Sequence, residues 1–428
     1  MASAREAVLK GLYRIDTEEA YTNQVLKEIL DSAAVLPVDR GFVTELLTGV
    51  VRNRLRLDYV IEQFSKIKLK KLSPWVHQVL RMGIYQILFM DRVPDSAACN
   101  ESVKLARRYS HGGAQGYVNG LLRSVAREKG KISLPEDKTE RMSVEYSCPQ
   151  WLTEKLVCQY GADTCEKILK ASQEKFPVSL RVNRLRATAE ELQKRLETEG
   201  ITALPDPNHP YRLLVEGALN VAESQAYRDG LYSIQNSSSM AAIEMLSPKP
   251  GDTILDLCAA PGGKTAYAAE LMENRGKVVA FDIHPHKTKL IAKSAKRLGI
   301  SIVEVSVQDA TEFLPVWEQK ADKILADVPC SGIGVIHKKP DIKWHRTLED
   351  VAELCKIQKK ILRNAARYVK PAGVLVYSTC TILREENQEQ IGAFLQENSD
   401  FVLEKEQTLF THETGGSGFY IAKLIRKG

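Results

Sequence analysis

Two short stretches of the 428-residue chain put a cysteine where a β-strand should end. Ala326-Asp327-Val328-Pro329-Cys330-Ser331-Gly332 runs from apolar residues through a carboxylate and a proline to the first thiol. Leu375-Val376-Tyr377-Ser378-Thr379-Cys380-Thr381 delivers the second. A lone cysteine is most simply a small buried side chain. Two at the mouths of successive strands point instead to a redox pair or, better, to a thiol nucleophile with a helper. A third stretch, Ile254 to Thr265, reads Ile-Leu-Asp-Leu-Cys-Ala-Ala-Pro-Gly-Gly-Lys-Thr. Its apolar run breaks at Pro261-Gly262-Gly263 and resumes with helical periodicity. A strand, a glycine turn and a helix N-terminus together turn free N–H groups and the positive helix end toward an anion or a nucleotide.

Three ligands could use that turn. A dinucleotide requires Gly-x-Gly-x-x-Gly, which is missing. A P-loop requires Gly-x-x-x-x-Gly-Lys-Ser/Thr; Gly263-Lys264-Thr265 fits its end, but Cys258 replaces its first glycine. S-adenosylmethionine, which carries no phosphate, needs no such nest. Asp282 ends the run Val278-Val279-Ala280-Phe281-Asp282, 20 residues after Gly262, where a carboxylate can accept both ribose hydroxyls of a nucleoside. Asp309, after the next apolar run, could reach an adenine amino group. A thiolate beside S-adenosylmethionine has a specific use. Cytosine C5 is a poor nucleophile until a thiolate adds to C6 and pushes electron density onto it, and an acid near N3 helps that addition. Cys380 or Cys330 could be the thiolate and the other the helper, with Asp327 near the base. Taken alone, Asp327 could also be a magnesium ligand of an NTPase.

The elements that must hold these residues form a strand–helix alternation. Strands are expected over 253–257, 277–282, 302–306, 323–327 and 373–378, with a late antiparallel pair near 400–404 and 418–424. This is the pattern of a doubly wound sheet with its ligand at the carboxyl ends of the strands. Before it, Val178 to Asn183, Tyr211 to Val215 and Leu231 to Gln235 read as strands among helices, giving a small α+β subdomain over 146–235. A polar, non-periodic stretch over 131–145 reads as a linker. Residues 1–130 repeat apolar residues at three and four, with Pro37 and Ser73-Pro74 as breaks, and form an all-α bundle. The catalytic domain then spans 236–428.

The net charge of +6 lies wholly in residues 1–130, where 20 basic residues meet 14 acidic ones. Arg52, Arg54, Arg56, Lys66, Lys68, Lys70 and Lys71 face only Asp58 and Glu62 nearby. That local excess suits a polyanion as well as it suits a solvated face. Arg181, Lys338 and Lys339 are further candidates for RNA contact. No apolar run approaches the twenty residues of a membrane span, and the N-terminus carries no signal-peptide core. The eight cysteines contain no Cys-x-x-Cys pair, and His284 and His286 flank a proline without making a metal set. A reduced, cytoplasmic monomer that uses no metal is expected.

Two resemblances sharpen these readings. Asp39-Arg40-Gly41-Phe42, Leu46-Leu47-x-Gly49-Val50-Val51-Arg52-Asn53, Leu80-Arg81-x-Gly83-Ile84-Tyr85-Gln86 and Val118-Asn119-Gly120-Leu121-Leu122-Arg123 resemble the NusB-type RNA-binding domain. Asp256-x-Cys258-Ala-Ala-Pro-Gly-Gly-Lys264-Thr265, Asp327-x-Pro-Cys330-Ser-Gly and Ser378-Thr-Cys380-Thr are similar to the RNA cytosine-C5 methyltransferases. Together with Pro340-Asp341-Ile342-Lys343-Trp344, they make almost the whole chain resemble the Sun/Fmu (RsmB) family. The resemblance implies a NusB-like bundle, the α+β subdomain and a Rossmann-like class I methyltransferase domain. It implies C5 methylation of 16S ribosomal RNA with S-adenosylmethionine, and less directly of another RNA such as tRNA. It assigns Cys380 as nucleophile, Cys330 to product release, and Asp327 to both base and ligand site. It places the cofactor along Cys258, Ala259, Ala260, Pro261, Gly262, Gly263 and Lys264, with Asp282 and Asp309. A P-loop NTPase and a pure RNA-binding module are the readings from other classes.

Overall fold

The computed structural model describes residues 3–32, 35–217, 219–221 and 223–428, which fall into two compact units. One holds the chain up to Glu174 together with Ile336–His345; the other holds Lys175–Val335 and Arg346–Gly428.

The first unit is helical. Ala4–Thr17, Thr22–Asp31, Arg40–Arg52, Arg54–Phe64, Pro74–Phe89, Asp95–Tyr109 and Ala114–Glu128 are its main helices. Residues spaced by three and four, such as Val8, Leu9 and Leu12 or Val43, Leu46 and Leu47, meet in one apolar core. The break at Ser73-Pro74 is a helix start: Ser73 Oγ accepts from the Val76 N–H and Pro74 occupies the first turn. At Gly49 the Tyr85 ring stands where a Cβ would be, so only glycine admits this approach.

One charged cluster is buried in this core. Arg81 donates to both Asp58 oxygens at 2.7 and 2.6 Å, and the His77 ring nitrogen lies 2.6 Å from the same carboxylate. Arg81 also reaches Asp16 at 3.3 Å.

The chain from Lys138 to Glu145 is a helix, where the sequence suggested only a linker over 131–145. Asp137 Oδ1 caps it by accepting from Thr139 and Glu140, and Met142 and Val144 are buried. Two buried apolar residues suffice because the cap satisfies the first N–H groups. Helices Gln150–Tyr160 and Ala162–Ala171 also group with this unit and not with the strands that follow. The second of them starts after Gly161, with Asp163 in its first turn.

The segment 336–345 completes the helical unit. Lys343 Nζ and Trp344 Nε1 donate to the carbonyls of Arg52 and Val51 at 2.9 and 2.8 Å, satisfying the end of helix Arg40–Arg52. Asp341 accepts from the Thr22 N–H at 3.1 Å. Burial pushes the Lys343 ammonium down to about 8.

The second unit contains two sheets. β1 (Val178–Val182), β2 (Ala203–Asp206), β3 (His209–Val215) and β4 (Tyr232–Ile234) form an antiparallel sheet in the order β2-β3-β1-β4. Helix Ala189–Thr198, started by a Thr188–Glu191 capping box, covers it with Leu192 and Leu196. β2 carries Pro205 and lies at the sheet edge, where a proline is tolerated and the strand pattern is weakest.

The larger sheet takes β5 (Thr253–Asp256), β6 (Lys277–Asp282), β7 (Val303–Val307), β8 (Ala321–Asp327), β9 (Val369–Thr379), β10 (Phe401–Leu409) and β11 (Phe419–Arg426). Its order is β10-β11-β9-β8-β5-β6-β7. β5 to β9 run parallel, and β11 is antiparallel to both β9 and β10. The order reverses at β5, so a crevice opens at the carboxyl ends beside it.

Replacing Asp58 with Asn should destabilise the protein by about 3–5 kcal/mol at neutral pH, because the buried guanidinium loses its counter-charge. Arg81 and His77 hold the Asp58 carboxyl down to about 2 in the folded state. The wild-type advantage, measured by thermal unfolding, should therefore be full above about pH 4 and disappear as pH falls through about 2. An equal stability loss at all pH values would contradict this.

Candidate active site

β8 and β9 are paired in parallel with Asp327 opposite Ser378. The two loops that follow are therefore neighbours, and they bring the sulfurs of Cys330 and Cys380 to 3.2 Å. The Cys380 N–H donates to Cys330 Sγ at 3.3 Å. Asp327 sits at the base of the pair, accepting from Ser378 Oγ on one oxygen (2.8 Å) and from Lys264 Nζ on the other (2.7 Å).

Lys264 arrives from the glycine turn after β5. Gly262 takes φ +96, a left-handed conformation that glycine adopts without strain, and a Cβ there would come within 3.2 Å of the Ile291 backbone. The Gly262 N–H donates to Ala259 O at 2.7 Å, and the Ala259 N–H is pinned to Phe281 O of β6 at 2.8 Å. Helix Gly263–Leu271 then begins, and Thr265 Oγ1 donates to Asp256 Oδ2 at 2.6 Å. Lys264 and Thr265, which could end a P-loop, are thus both spent on protein carboxylates. Asp327 is occupied by a lysine and a serine and does not have the surroundings of a magnesium ligand. The NTPase reading has no geometric support.

The electrostatics separate the two thiols. A hydrogen bond from Cys330, with Lys264 nearby, holds Cys380 below the usual thiol range. Cys330 is pushed well up by that same bond, by burial, and by the Glu386 and Asp327 carboxylates. Burial raises the Asp256 carboxyl to about 7. Cys258 is raised well above its usual range by burial and by the four surrounding aspartates, and so stays a neutral thiol.

A cleft of about 420 Å³ opens beside the turn, lined by Cys258, Asp282, Lys287, Asp309, Pro329 and Ile361. Its volume lies within the range of about 300–1,000 Å³ usual for small-ligand sites. Asp282 Oδ1 accepts from the His284 N–H (2.9 Å), and Asp309 Oδ1 accepts from the N–H (2.8 Å) and hydroxyl (2.7 Å) of Thr311. Two carboxylates on an apolar-walled cleft match the hydroxyl and amino donors of an adenosine. The residues present therefore fit S-adenosylmethionine. Pro261 and Gly263 border a different cleft of about 400 Å³, with Tyr227, Leu290 and Arg297. Within the turn, Cys258 faces the first cleft and Lys264 faces the cysteines.

The expected RNA residues divide. Lys66, Lys70, Lys338 and Lys339 are exposed. Arg52, Arg54 and Arg56 are half-buried and bound to the helical unit itself: to His337 O (3.2 Å), Asp16 (3.1 Å) and Glu145 O (3.3 Å) respectively. Arg181 is not an RNA contact. It is fully buried, donates to Glu270 (2.7 Å), to Gly263 O (2.8 Å) and to Gln235, and lies over the Tyr267 ring. Strand alternation made it look half-exposed, but a helix covers that face. Its work is to fix the glycine turn.

Sequence reasoning missed Ser378, which orients Asp327, and Glu386, whose carboxylate accepts from the Ser331 N–H (2.8 Å) and hydroxyl (2.5 Å). The available signal was the doublet Glu385-Glu386 followed by Asn387, six residues after Cys380.

Sheet order, crevice and cleft together define a Rossmann-like methyltransferase fold joined to a helical unit. Residues 2–127 match the NusB family, 148–222 a Methyltr_RsmF/B-like, ferredoxin-like domain, and 243–425 the family described as 16S rRNA methyltransferase RsmB/F. The probable ribosomal RNA small subunit methyltransferase B of Bacillus subtilis is 38% identical over 100% of this chain and 99% of its own. That of Synechocystis is 33% identical over 99% of each. Among solved structures, PH0851 superposes with a TM-score of 0.81 at 29% identity over 98% of both chains. NSun6 from Pyrococcus horikoshii with SFG, an analogue of S-adenosylmethionine, gives 0.61 at 26% identity over 65% of this chain and 98% of its own. The chain belongs to the RsmB/F family of 16S rRNA methyltransferases. Its cofactor is S-adenosylmethionine and its substrate class is ribosomal RNA. Among the described residues no helix is long and apolar enough to cross a membrane.

Arg181→Ala should lower stability by about 3–5 kcal/mol, since Glu270 would be left buried without its partner. It should leave the salt dependence of RNA binding unchanged. A shallower salt slope in the folded variant would restore Arg181 as a phosphate contact.

Proposed function

We propose that the protein methylates C5 of a cytosine in 16S rRNA through a covalent bond between Cys380 Sγ and C6 of the base. The observation that carries this reading is the pair of sulfurs 3.2 Å apart, with their mutual hydrogen bond, aided by Lys264, lowering Cys380, and that bond, burial and carboxylates raising Cys330. Cys380 adds to C6 as the thiolate, forming the Sγ–C6 bond and moving the C5–C6 π pair onto C5 and the conjugated N3 edge. The Lys264–Asp327 pair lies beside the sulfurs, where it can meet the polar edge of the base and offset the developing charge. Asp282, Asp309 and Cys258 at the start of the turn would hold S-adenosylmethionine, which would supply an electrophilic methyl group to the carbon so activated, the electrons of the broken methyl–sulfur bond remaining on sulfur in S-adenosylhomocysteine. Transfer of the C5 proton to solvent then restores the C5–C6 double bond and expels Cys380 as thiolate. Cys330 is the group in place to assist that release. Exposed Lys66, Lys70, Lys338 and Lys339 suit phosphate contacts, which position an RNA without reading its sequence.

The test is transfer of a labelled methyl group from S-adenosylmethionine to unmodified 16S rRNA, with the product nucleotide mapped. The expected product is 5-methylcytosine, reduced to background by Cys380→Ala while RNA affinity is kept. A methyl on another atom, or full activity in that variant, would refute the reading. Cys330→Ala should still methylate but accumulate a protein–RNA adduct on denaturing gels; an adduct with Cys380→Ala instead would reverse the two roles. Asp282→Ala should weaken S-adenosylmethionine binding about 10- to 100-fold by calorimetry, the worth of charge-assisted hydrogen bonds. Unchanged affinity would place the ribose elsewhere.

A further inference from the structure

The residue after each cysteine is tied to one buried acid. Ser331 Oγ is bonded to Thr381 Oγ1 at 2.9 Å and to Glu386 Oε2 at 2.5 Å, and the Ser331 N–H donates to Oε1 at 2.8 Å. Gln358 Nε2 donates to Oε1 as well (3.0 Å) and to Pro329 O (2.9 Å), holding the Cys330 loop from its other end. Glu386 closes the turn Arg384–Glu386 and is fully buried, and its own carbonyl accepts from the Tyr377 hydroxyl at 2.6 Å. The next residue, Asn387, accepts from Thr379 Oγ1 (2.6 Å) and donates to Thr381 O (3.1 Å). One short turn thus grips the loops of both cysteines. The side-chain partners of the Glu386 carboxylate are all donors, the bonding pattern of an acceptor-only anion.

We propose that Glu386 is the positioning residue that gives the two thiols their separate roles. Through Ser331 it holds Cys330 against Cys380, and its buried negative charge on the Cys330 side keeps the proton there and leaves the thiolate on Cys380. The inference rests on Cys380 being the nucleophile.

The charged and titratable groups around the pair are Lys264 from the glycine-turn helix, Asp327 from β8, Tyr377 from β9, Glu386, and Arg346, whose Nε donates to Ser331 O at 3.2 Å. Among these, Lys264 favours negative charge on Cys380, Asp327 disfavours it on both thiols, and Glu386 disfavours it on both but is bonded on the Cys330 side, to the N–H and hydroxyl of Ser331. Two influences oppose a thiolate on Cys380: the Asp327 carboxylate raises that thiol too, and the Cys380 N–H donates to Cys330 Sγ and would draw charge onto Cys330. Two thiols this close share their proton almost symmetrically unless something outside the pair biases it. A negative charge on Glu386 would stand in a low-dielectric place, where its field is strongest.

Glu386→Gln keeps the shape and an acceptor oxygen but removes the charge; Glu386→Asp keeps the charge on a shorter arm. The readout is single-hit iodoacetamide labelling of the free enzyme across pH, with each cysteine quantified by peptide mass spectrometry. Wild type should label Cys380 at least about tenfold faster than Cys330, a ratio of about 1.4 kcal/mol. Glu386→Gln should shrink that ratio at least fivefold toward Cys330 and move the pair's labelling midpoint to lower pH, with unfolding temperature and S-adenosylmethionine affinity unchanged. Glu386→Asp should retain the wild-type preference for Cys380. An unchanged ratio and midpoint in folded Glu386→Gln would overturn the proposal. Loss of preference in both variants without a midpoint shift would reduce Glu386 to a structural anchor and also overturn it. Faster labelling of Cys330 in the wild type would instead contradict Cys380 as nucleophile, which is the separate, prior reading.

Discussion

The parallel pairing of β8 with β9 is the constraint on which the site depends. Neighbouring strands lie about 4.8 Å apart, so two loops leaving the same end of adjacent strands must meet. The register sets Asp327 opposite Ser378, and three residues beyond Asp327 and two beyond Ser378 the sulfurs stand 3.2 Å apart. A slip of one residue would put Asp327 and Ser378 on opposite faces of the sheet and separate the thiols. The chemistry is thus written in the same backbone ladder that stabilises the domain.

Several buried charges are held in pairs. Lys264 meets Asp327, Arg181 meets Glu270, and in the helical unit Arg81 meets Asp58. Such pairs contribute little net stability compared with apolar packing, yet removing one partner is costly. Their value here is geometric. Arg181 also donates to the Gly263 carbonyl, so it anchors the turn from beneath while Lys264 reaches from that turn to the sulfurs. The glycine turn and the carboxylate beneath the thiol pair are therefore parts of one hydrogen-bonded assembly, the pre-organisation that electrostatic catalysis requires.

Much of this was legible in the sequence, and for identifiable reasons. All seven expected strands of the large sheet form, and the central ones, β5, β6 and β8, were legible because buried parallel strands are short, apolar and bounded by turn residues. Both cysteines, Asp327, Asp282 and Asp309 fall at carboxyl ends of strands, where doubly wound folds place their ligands. Other features depended on which face a neighbour covers. Arg181 alternates like a half-exposed strand residue, and only packing against helix Gly263–Leu271 makes it internal. The 138–145 helix carries two buried apolar residues, too few to declare a period. Glu386 sat in a charged doublet that resembled an ordinary solvated turn, and its burial follows from the Cys330 loop folding onto it.

The most direct measurement locates the covalent bond itself. Adduct formed between the Cys330→Ala protein and unmodified 16S rRNA, digested with protease and nuclease, can be sequenced as a peptide–nucleotide conjugate by mass spectrometry. The expected conjugate carries a methylated cytidine on the peptide containing Cys380, bonded through Sγ to C6. A conjugate on any other residue, or a base methylated with no link to the protein at any stage, would contradict the paired-thiol chemistry on which the reading of this site is built.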